Sequence, residues 1–142
     1  MTISGRTTLV TLLLLLSCLA PAQEPAVTQA TVCELVDNPT KYNGKLVHVR
    51  AYVTRVPHAG VIAPRGCRRS TESNYIALTG PERPTRNSER LLKILRTDPV
   101  EADVTGTFRS GGAFGGGNCC RFELAAMRIE KVRKAKATPP SR

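Results

Sequence analysis

The segment over residues 45–56 constrains the fold most strongly, because apolar and polar side chains alternate along it. Its regularly spaced apolar positions are Val47, Val49, Ala51 and Val53. A period of two, rich in β-branched residues, indicates a strand with one buried face. Residues 100–108 alternate in the same way. The chain is therefore expected to be mainly β.

Three further segments complete the predicted set of strands. They cover residues 61–63, 74–79 and 121–132. In the last of them the apolar pattern changes phase between Leu124 and Met127. A β-bulge near Ala125 and Ala126 would account for that change.

Two short helices are also predicted. Thr31 and Glu34 have the spacing of a capping box, so a helix should begin there and run to about Asp37. Asn38 should end it, because a residue that precedes proline is driven out of the α region. Residues 88–96 carry leucine and isoleucine at helical spacing, with Ser88 as the expected N-cap.

The order of these elements predicts a five-stranded OB-like barrel over residues 31–132. A long strand, two shorter strands, a helix and two further strands follow one another, which is the order of the OB-fold. The expected architecture has a short N-terminal helix and one helix between strands 3 and 4. Residues 23–30 are expected to be a linker, and residues 133–142 a basic disordered tail.

Residues 1–22 have the composition of a secretion signal. Arg6 supplies a positive charge, an apolar run covers residues 9–16, and small residues follow it. The run is shorter than the roughly 20 apolar residues that a membrane-spanning helix needs. The protein is therefore expected in the periplasm or outside the cell, with membrane contact only through this segment or a lipid.

Two cleavage sites compete within this segment. Cleavage after Ala22 would release Gln23 as the new N-terminus, since Ala20 and Ala22 provide two small residues at the required spacing. The residues that end at Cys18 instead resemble a bacterial lipobox, in which Cys18 would be lipidated and begin the mature chain. Both alternatives stay open, with a retained membrane anchor as the third.

The chain is strongly basic, with a formal net charge of +10 at pH 7. Cleavage would remove Arg6 and no acidic residue, so the mature chain keeps nearly all of this charge. Such a balance favours an anionic polymer or an acidic envelope protein as partner. Nucleic acid is a less favoured partner, because it is scarce outside the cytoplasm. The alternative is that the charge only keeps the protein in solution.

Four cysteines remain after either cleavage, namely Cys33, Cys67, Cys119 and Cys120. An even number in a small exported domain predicts two disulfides. Because a bond between Cys119 and Cys120 would close a strained ring across one peptide bond, each is expected to reach a different distant cysteine. The alternative is a thiol-redox or metal-binding site. No C-x-x-C pair or standard zinc spacing is present, so no metal or cofactor is expected.

The stretch from Val32 through Pro39 to Arg50 resembles the opening of a group of uncharacterised exported bacterial proteins. Members of that group have a short helix with a cysteine, then a Y-x-G-K-x-V-x-V turn and strand, which begins at Tyr42 in this chain. Cys67 and the strand around Val104 are similar to later features of the group. The resemblance covers about residues 31–132. It implies a small OB-like barrel and an extracytoplasmic location, and it implies no catalytic residues.

The candidate binding residues are arginines and tyrosines near predicted strand ends and loops. They are Arg55, Arg65, Arg68, Arg69, Arg109, Arg121, Tyr52 and Tyr75. Arginine binds planar anions through two N–H groups at once, and aromatic rings supply stacking platforms. With so few aromatic residues in strands, a solvated arginine face is the alternative interpretation.

No catalytic residue is predicted. The glycine-rich residues 110–118 join two predicted strands, whereas phosphate-binding loops precede a helix. A flexible hairpin loop pinned by disulfides is therefore expected. His48 and His58 have no recognisable Ser, Asp or Cys partner. The sequence favours an extracytoplasmic binding or interaction module over an enzyme, and it leaves the oligomeric state undetermined.

Overall fold

The computed structural model describes residues 24–136. The predicted signal segment, its cleavage site before Gln23, Cys18 and the end of the basic tail lie outside the described residues. Among the helices that are described, none has the length and apolar character needed to cross a membrane.

Six strands and three α-helices make up the described part of the chain. The strands are β1 (Thr28–Gln29), β2 (Leu46–Val56), β3 (Ala59–Ile62), β4 (Ile76–Thr79), β5 (Val100–Phe114) and β6 (Cys120–Lys134). The helices are α1 (Val32–Asp37), α2 (Pro39–Tyr42) and α3 (Arg86–Leu95). Short 3₁₀ turns cover Glu72–Asn74 and Gly116–Asn118.

Strands β2 to β6 close into a five-stranded barrel, which confirms the predicted OB-like fold. The strands follow the order β2, β3, β4, β6 and β5, and β5 pairs back onto β2. The β4–β6 pair is parallel and the other pairs of the barrel are antiparallel. Helix α3 lies between the third and fourth barrel strands in sequence, as predicted. Strand β1 adds a short parallel pair to β2.

The barrel core consists of the inward-facing residues that the alternating pattern predicted. Val49 lies opposite Val104 across the β2–β5 pair, and both are almost fully buried. The rings of Phe108 and Phe122 stack with their centroids 5.8 Å apart. Buried residues of all three helices, among them Leu91 of α3, join the same core. A chain without tryptophan thus builds its interior mainly from branched aliphatic side chains.

The start of the domain follows the predicted capping box. The Thr31 Oγ1 accepts the Glu34 N–H, and the Glu34 carboxylate accepts the Thr31 N–H at 2.7 Å. The Thr31 N–H and the Thr31 hydroxyl both donate to the Glu34 carboxylate, and these two hydrogen bonds lower the pKa of Glu34. Helix α1 ends at Asp37 as expected. Pro39 then begins the short helix α2, because proline is tolerated in a first helical turn.

The predicted N-cap of α3 is wrong. Thr85, and not Ser88, is the N-cap, and its side chain accepts the Ser88 N–H at 3.1 Å. Ser88 is the third helical residue. Its Oγ accepts the Thr85 N–H and donates to the Thr85 carbonyl. Thr85 and Ser88 both have a hydroxyl that can cap a helix. The helix already includes Arg86, so Thr85 takes the N-cap position and Ser88 lies inside the first turn.

A bulge in β6 confirms the predicted change of phase. Thr105 lies opposite Arg128 and Gly106 opposite Ala126, so β6 has one extra residue at Met127. The Met127 side chain is 63% exposed, whereas Ala126 is buried. The sequence pattern placed Met127 on the inner face. The bulge lies one position later than predicted and turns this side chain outward.

The ends of the domain are more ordered than predicted. Within the expected linker, Thr28 and Gln29 pair with β2, and the Ala30 N–H donates to the His48 carbonyl at 3.1 Å. The expected tail began at residue 133, yet β6 continues to Lys134. The Ala135 N–H also donates to the Pro99 carbonyl at 2.9 Å. Backbone pairing supplies order that the polar composition of these segments does not reveal.

Candidate functional site

The connection between β3 and β4 brings three of the predicted arginines together. We define the arginine loop as residues 64–70, which carry Arg65, Arg68 and Arg69. All three side chains are exposed. The loop thus presents three guanidinium groups within five successive residues.

A disulfide fixes this loop to the N-terminal helix. Cys67 bonds to Cys33 of α1, with 5.2 Å between their Cα atoms. Asn74 donates to the Arg69 carbonyl at 3.0 Å and holds the far side of the loop. The Arg69 Nε lies 3.9 Å from the Asp37 carboxylate. The loop therefore has a defined position despite its lack of helix or strand.

Tyr52 supports the first arginine of the loop. The guanidinium carbon of Arg65 lies 4.1 Å from the centroid of the half-buried Tyr52 ring. An exposed cation–π contact of this kind contributes about 0.5–1 kcal/mol. Arg65 and Tyr52 therefore form the stacked pair that the sequence could only name as separate candidates.

Two acidic residues on β5, close to Tyr52, are already paired with cations other than the loop arginines. Glu101, opposite Tyr52 on β5, pairs with Arg133 at 2.6 Å and with Arg50 at 3.5 Å. Asp103 accepts a hydrogen bond from the Lys131 Nζ at 2.8 Å, and that contact is the main reason why the pKa of Asp103 is lowered. The outer face of β2, β5 and β6 therefore offers few unpaired carboxylates to compete with an external anion.

The other predicted site residues lie elsewhere. Arg109 pairs with Glu123 across β5 and β6 at 3.1 Å. Arg121 is exposed on β6, and Tyr75 packs against a small apolar cluster on the outer side of β3 and β4. Arg55 lines a groove at α3. Of the eight candidate residues, Arg65, Arg68, Arg69 and Tyr52 therefore belong to the arginine loop and its support, and the other four lie apart from it.

The β5–β6 hairpin covers the outer face of β3 and β4. Ile62 and Ile76 point into the barrel, so their neighbours Val61 and Ala77 point outward. Both outward residues are nevertheless buried, and Phe114 of β5 packs against their cluster. OB-folds commonly use this face for oligonucleotides and oligosaccharides. In this chain the hairpin occupies it.

Two glycines permit that close approach. A Cβ on Gly115 would lie 3.2 Å from the Ala77 Cβ, and a Cβ on Gly116 would overlap the His58 carbonyl oxygen. The predicted flexible loop over residues 110–118 is therefore wrong in extent, since β5 continues to Phe114 and the turn packs against the barrel. The absence of side chains at Gly115 and Gly116 lets this turn lie directly against β4 and the β2–β3 turn.

The cysteine pairing also differs from the expectation. Cys119 bonds to its neighbour Cys120, and neither reaches a distant cysteine. The reason is that Cys33 and Cys67 bond to each other, which leaves these two as the remaining pair among the described residues. The predicted count of two disulfides is confirmed, and the favoured connectivity is wrong.

The two histidines lie apart, one on a barrel strand and one in a turn. The His48 Nδ1 lies 2.9 Å from the Thr105 Oγ1 on the neighbouring strand. His58 lies in the tight β2–β3 turn with a φ of 72°. Within residues 24–136, no group of three or more His, Cys, Asp or Glu side chains is arranged to hold a metal ion.

Comparisons with known proteins leave the family undetermined. No protein-family profile and no curated protein matches the chain. A solved structure described as "a putative aspartyl-tRNA synthetase from Leishmania major Friedlin" shares 15% sequence identity with it, with a TM-score of 0.44 over 87% of this chain. The match covers 24% of that protein, so this chain spans about a quarter of its length. A likeness at this level says nothing about function.

Proposed function

We propose that the protein is an extracytoplasmic binding module that holds an anionic polymer through the arginine loop. The observation that carries this proposal is the concentration of Arg65, Arg68 and Arg69 on one loop that a disulfide fixes in place. Disulfide-bonded cysteines fit a location outside the cytoplasm. An acidic envelope protein is the alternative ligand for the same surface.

The contacts that order the loop also support binding. A loop that is fixed before binding loses less conformational entropy when a ligand arrives. The ion pair of Arg69 with Asp37 joins two partly exposed side chains at 3.9 Å, and such pairs contribute little free energy. Arg69 can therefore exchange Asp37 for an anionic group of the ligand at small cost.

Heparin provides a test, because it is a soluble polyanion. The native protein should bind immobilised heparin and elute at a defined salt concentration. The triple variant R65A/R68A/R69A should elute at clearly lower salt. In solution, the slope of log K against log salt concentration should become shallower by roughly 2–3, since each lost cation releases about one counterion fewer.

The matched control removes three exposed cations of α3 in the variant R86A/R90A/K93A, which has the same net charge as the loop variant. The control should elute close to the native protein. Equal losses in both variants would mean that heparin responds only to net charge, and absent binding of the native protein would contradict the proposal outright.

The alternative function, a thiol-redox or metal-binding protein that uses Cys33, Cys67, Cys119 and Cys120, has weaker support, because these cysteines are paired as disulfides. Thiol titration of the native protein distinguishes the two functions. Reactive thiols in the native state would favour the redox alternative.

A further inference from the structure

A groove of about 450 Å³ lies where α3 crosses the end of the barrel. This volume is in the range of small-molecule sites. Strands β3 and β4 pair through only two residue pairs, Val61 with Ala77 and Ile62 with Ile76. The residues beyond this short ladder, Gly60 and Leu78, line the groove together with α3.

The floor of the groove is apolar. Its large apolar lining residues are Leu78, Leu91, Leu92, Leu95 and Ile129. Leu92 is 61% exposed, whereas Leu91 and Leu95 of the same helix are buried. A ligand that covers Leu92 would remove this apolar area from water, which is favourable in proportion to the area.

All the charged or titratable side chains that line the groove are basic: Arg55, His58 and Arg96. Arg55 lies two positions after the core residue Val53 on β2, and therefore on the side of the strand that faces the barrel interior. Its cross-strand partner is Gly60, where a Cβ would lie 3.4 Å from the Leu95 Cδ2. Arg55 is thus linked through Gly60 to the C-terminal end of α3, where Arg96 directly follows Leu95.

We infer that the groove binds an amphiphilic anion, a fatty-acid-type molecule with an acyl chain and a carboxylate. The chain lies along the leucine floor, and the carboxylate pairs with Arg55 and Arg96. This ligand combines an apolar chain with one negative charge, which matches a lining of leucines and basic side chains. An extended peptide would instead bury backbone N–H and C=O groups against leucine side chains without partners. The Ser88 hydroxyl is not an available hydrogen-bond donor for such a peptide, because it already donates to the Thr85 carbonyl.

Titration calorimetry with dodecanoate, below its critical micelle concentration, tests the inference on the native protein. Dodecanoate should bind with one site per chain, whereas butyrate and dodecyltrimethylammonium should each bind at least about tenfold more weakly. The variant R55A/R96A should lose about tenfold in dodecanoate affinity, because a charge-assisted pair is removed. Both arginines are exposed, so the variant is expected to fold, which circular dichroism checks.

The matched control is R86A/R90A, which removes two outward cations from the same helix and should leave dodecanoate affinity within about twofold of the native value. The variant R65A/R68A/R69A should also bind dodecanoate normally, so the groove and the arginine loop are tested separately. No binding of dodecanoate, equal binding of the cationic amphiphile, or an equal loss in R86A/R90A would each overturn the inference. Butyrate binding as strong as that of dodecanoate would overturn the role of the acyl chain.

Discussion

Arg65 lies over the ring of Tyr52, with its guanidinium carbon 4.1 Å from the ring centroid. This contact connects the arginine loop to the outer face of β2, whereas the Cys33–Cys67 disulfide connects the loop to α1. The loop is therefore held from two directions by two different kinds of interaction. Each of them can be removed without changing the three loop arginines.

Removal of the Tyr52 ring should weaken binding of heparin without removing any charge. In Tyr52→Ala the Arg65 side chain loses its support and should populate more conformations, so elution from heparin should move to lower salt and affinity should fall about twofold to fivefold. Tyr52→Phe is the control, since it keeps the ring, and it should elute with the native protein. A normal elution position for Tyr52→Ala would show that the stacking does not contribute.

The two disulfides should differ strongly in their contribution to stability. The Cys33–Cys67 bond has a sequence separation of 34, and the loop-entropy relation gives about 4 kcal/mol for a loop of that length. The variant C33A/C67A should lose about 3–4 kcal/mol in the free energy of urea unfolding. C119A/C120A should lose less than about 1 kcal/mol, because adjacent residues have little chain between them to constrain. Equal losses would contradict this ranking.

Asp103 should make the free energy of unfolding decrease at acidic pH. Lys131 is the main cause of its lowered pKa, and Arg50 and His48 lower it further, against the opposing effect of burial. A carboxyl with a lowered folded-state pKa stabilises the fold above its unfolded value of about 4, and this stabilisation is lost as the pH falls through the folded value. The native protein should therefore lose unfolding free energy below about pH 4.

The variant Asp103→Asn should be less stable at pH 7 by about 1–3 kcal/mol and should show less of that acid dependence. Glu130→Gln is its control on the neighbouring strand, because Glu130 pairs with Arg128 at 3.6 Å between two exposed side chains. It should change stability by less than about 0.5 kcal/mol. Urea unfolding followed by circular dichroism across a pH series measures both. Parallel curves for the native protein and Asp103→Asn would refute the assignment.

Gly116 should be intolerant of a side chain. In Gly116→Ala the new Cβ would overlap the His58 carbonyl oxygen, which belongs to the backbone and cannot rotate away. The hairpin must shift, with an expected loss of about 1–3 kcal/mol. Val61 and Ala77 should become more exposed and bind an apolar fluorescent dye. Gly80→Ala, where no atom lies within 4 Å of the new Cβ, should have little effect on either measurement.

The barrel could be predicted because its strands carry their own pattern. Val49 and Val104 each lie within alternating segments, and alternation reports which face is buried without reference to the partner strand. A bulge in this part of β6 could also be predicted, since an extra residue changes the phase of the pattern, but its position at Met127 could not. By contrast, β5 beyond Phe108 has few apolar residues. It is held by pairing with β6 and by the Ser110 N–H, which donates to the Asn43 Oδ1 at 2.8 Å.

The candidate sites were predictable only in part, because they join residues from separate elements. Arg65, Arg68 and Arg69 are close in sequence and could be grouped in advance. Their support by Tyr52 depends on the position of the loop relative to β2. The groove combines Arg55 of β2 with Arg96, which directly follows α3, about 40 residues apart in sequence. Only the way in which α3 closes the barrel brings them together.

Strand β6 lies between β4 and β5 in the barrel, yet it is the last strand in sequence within the described residues. Until it has been synthesised, β4 lacks its parallel partner and β5 can pair only with β2. Exposed strand edges are surfaces to which other chains can pair. A nascent chain stopped before Cys120 therefore carries two open edges and is prone to aggregate. One that extends to Lys134 has every strand it needs to fold to completion.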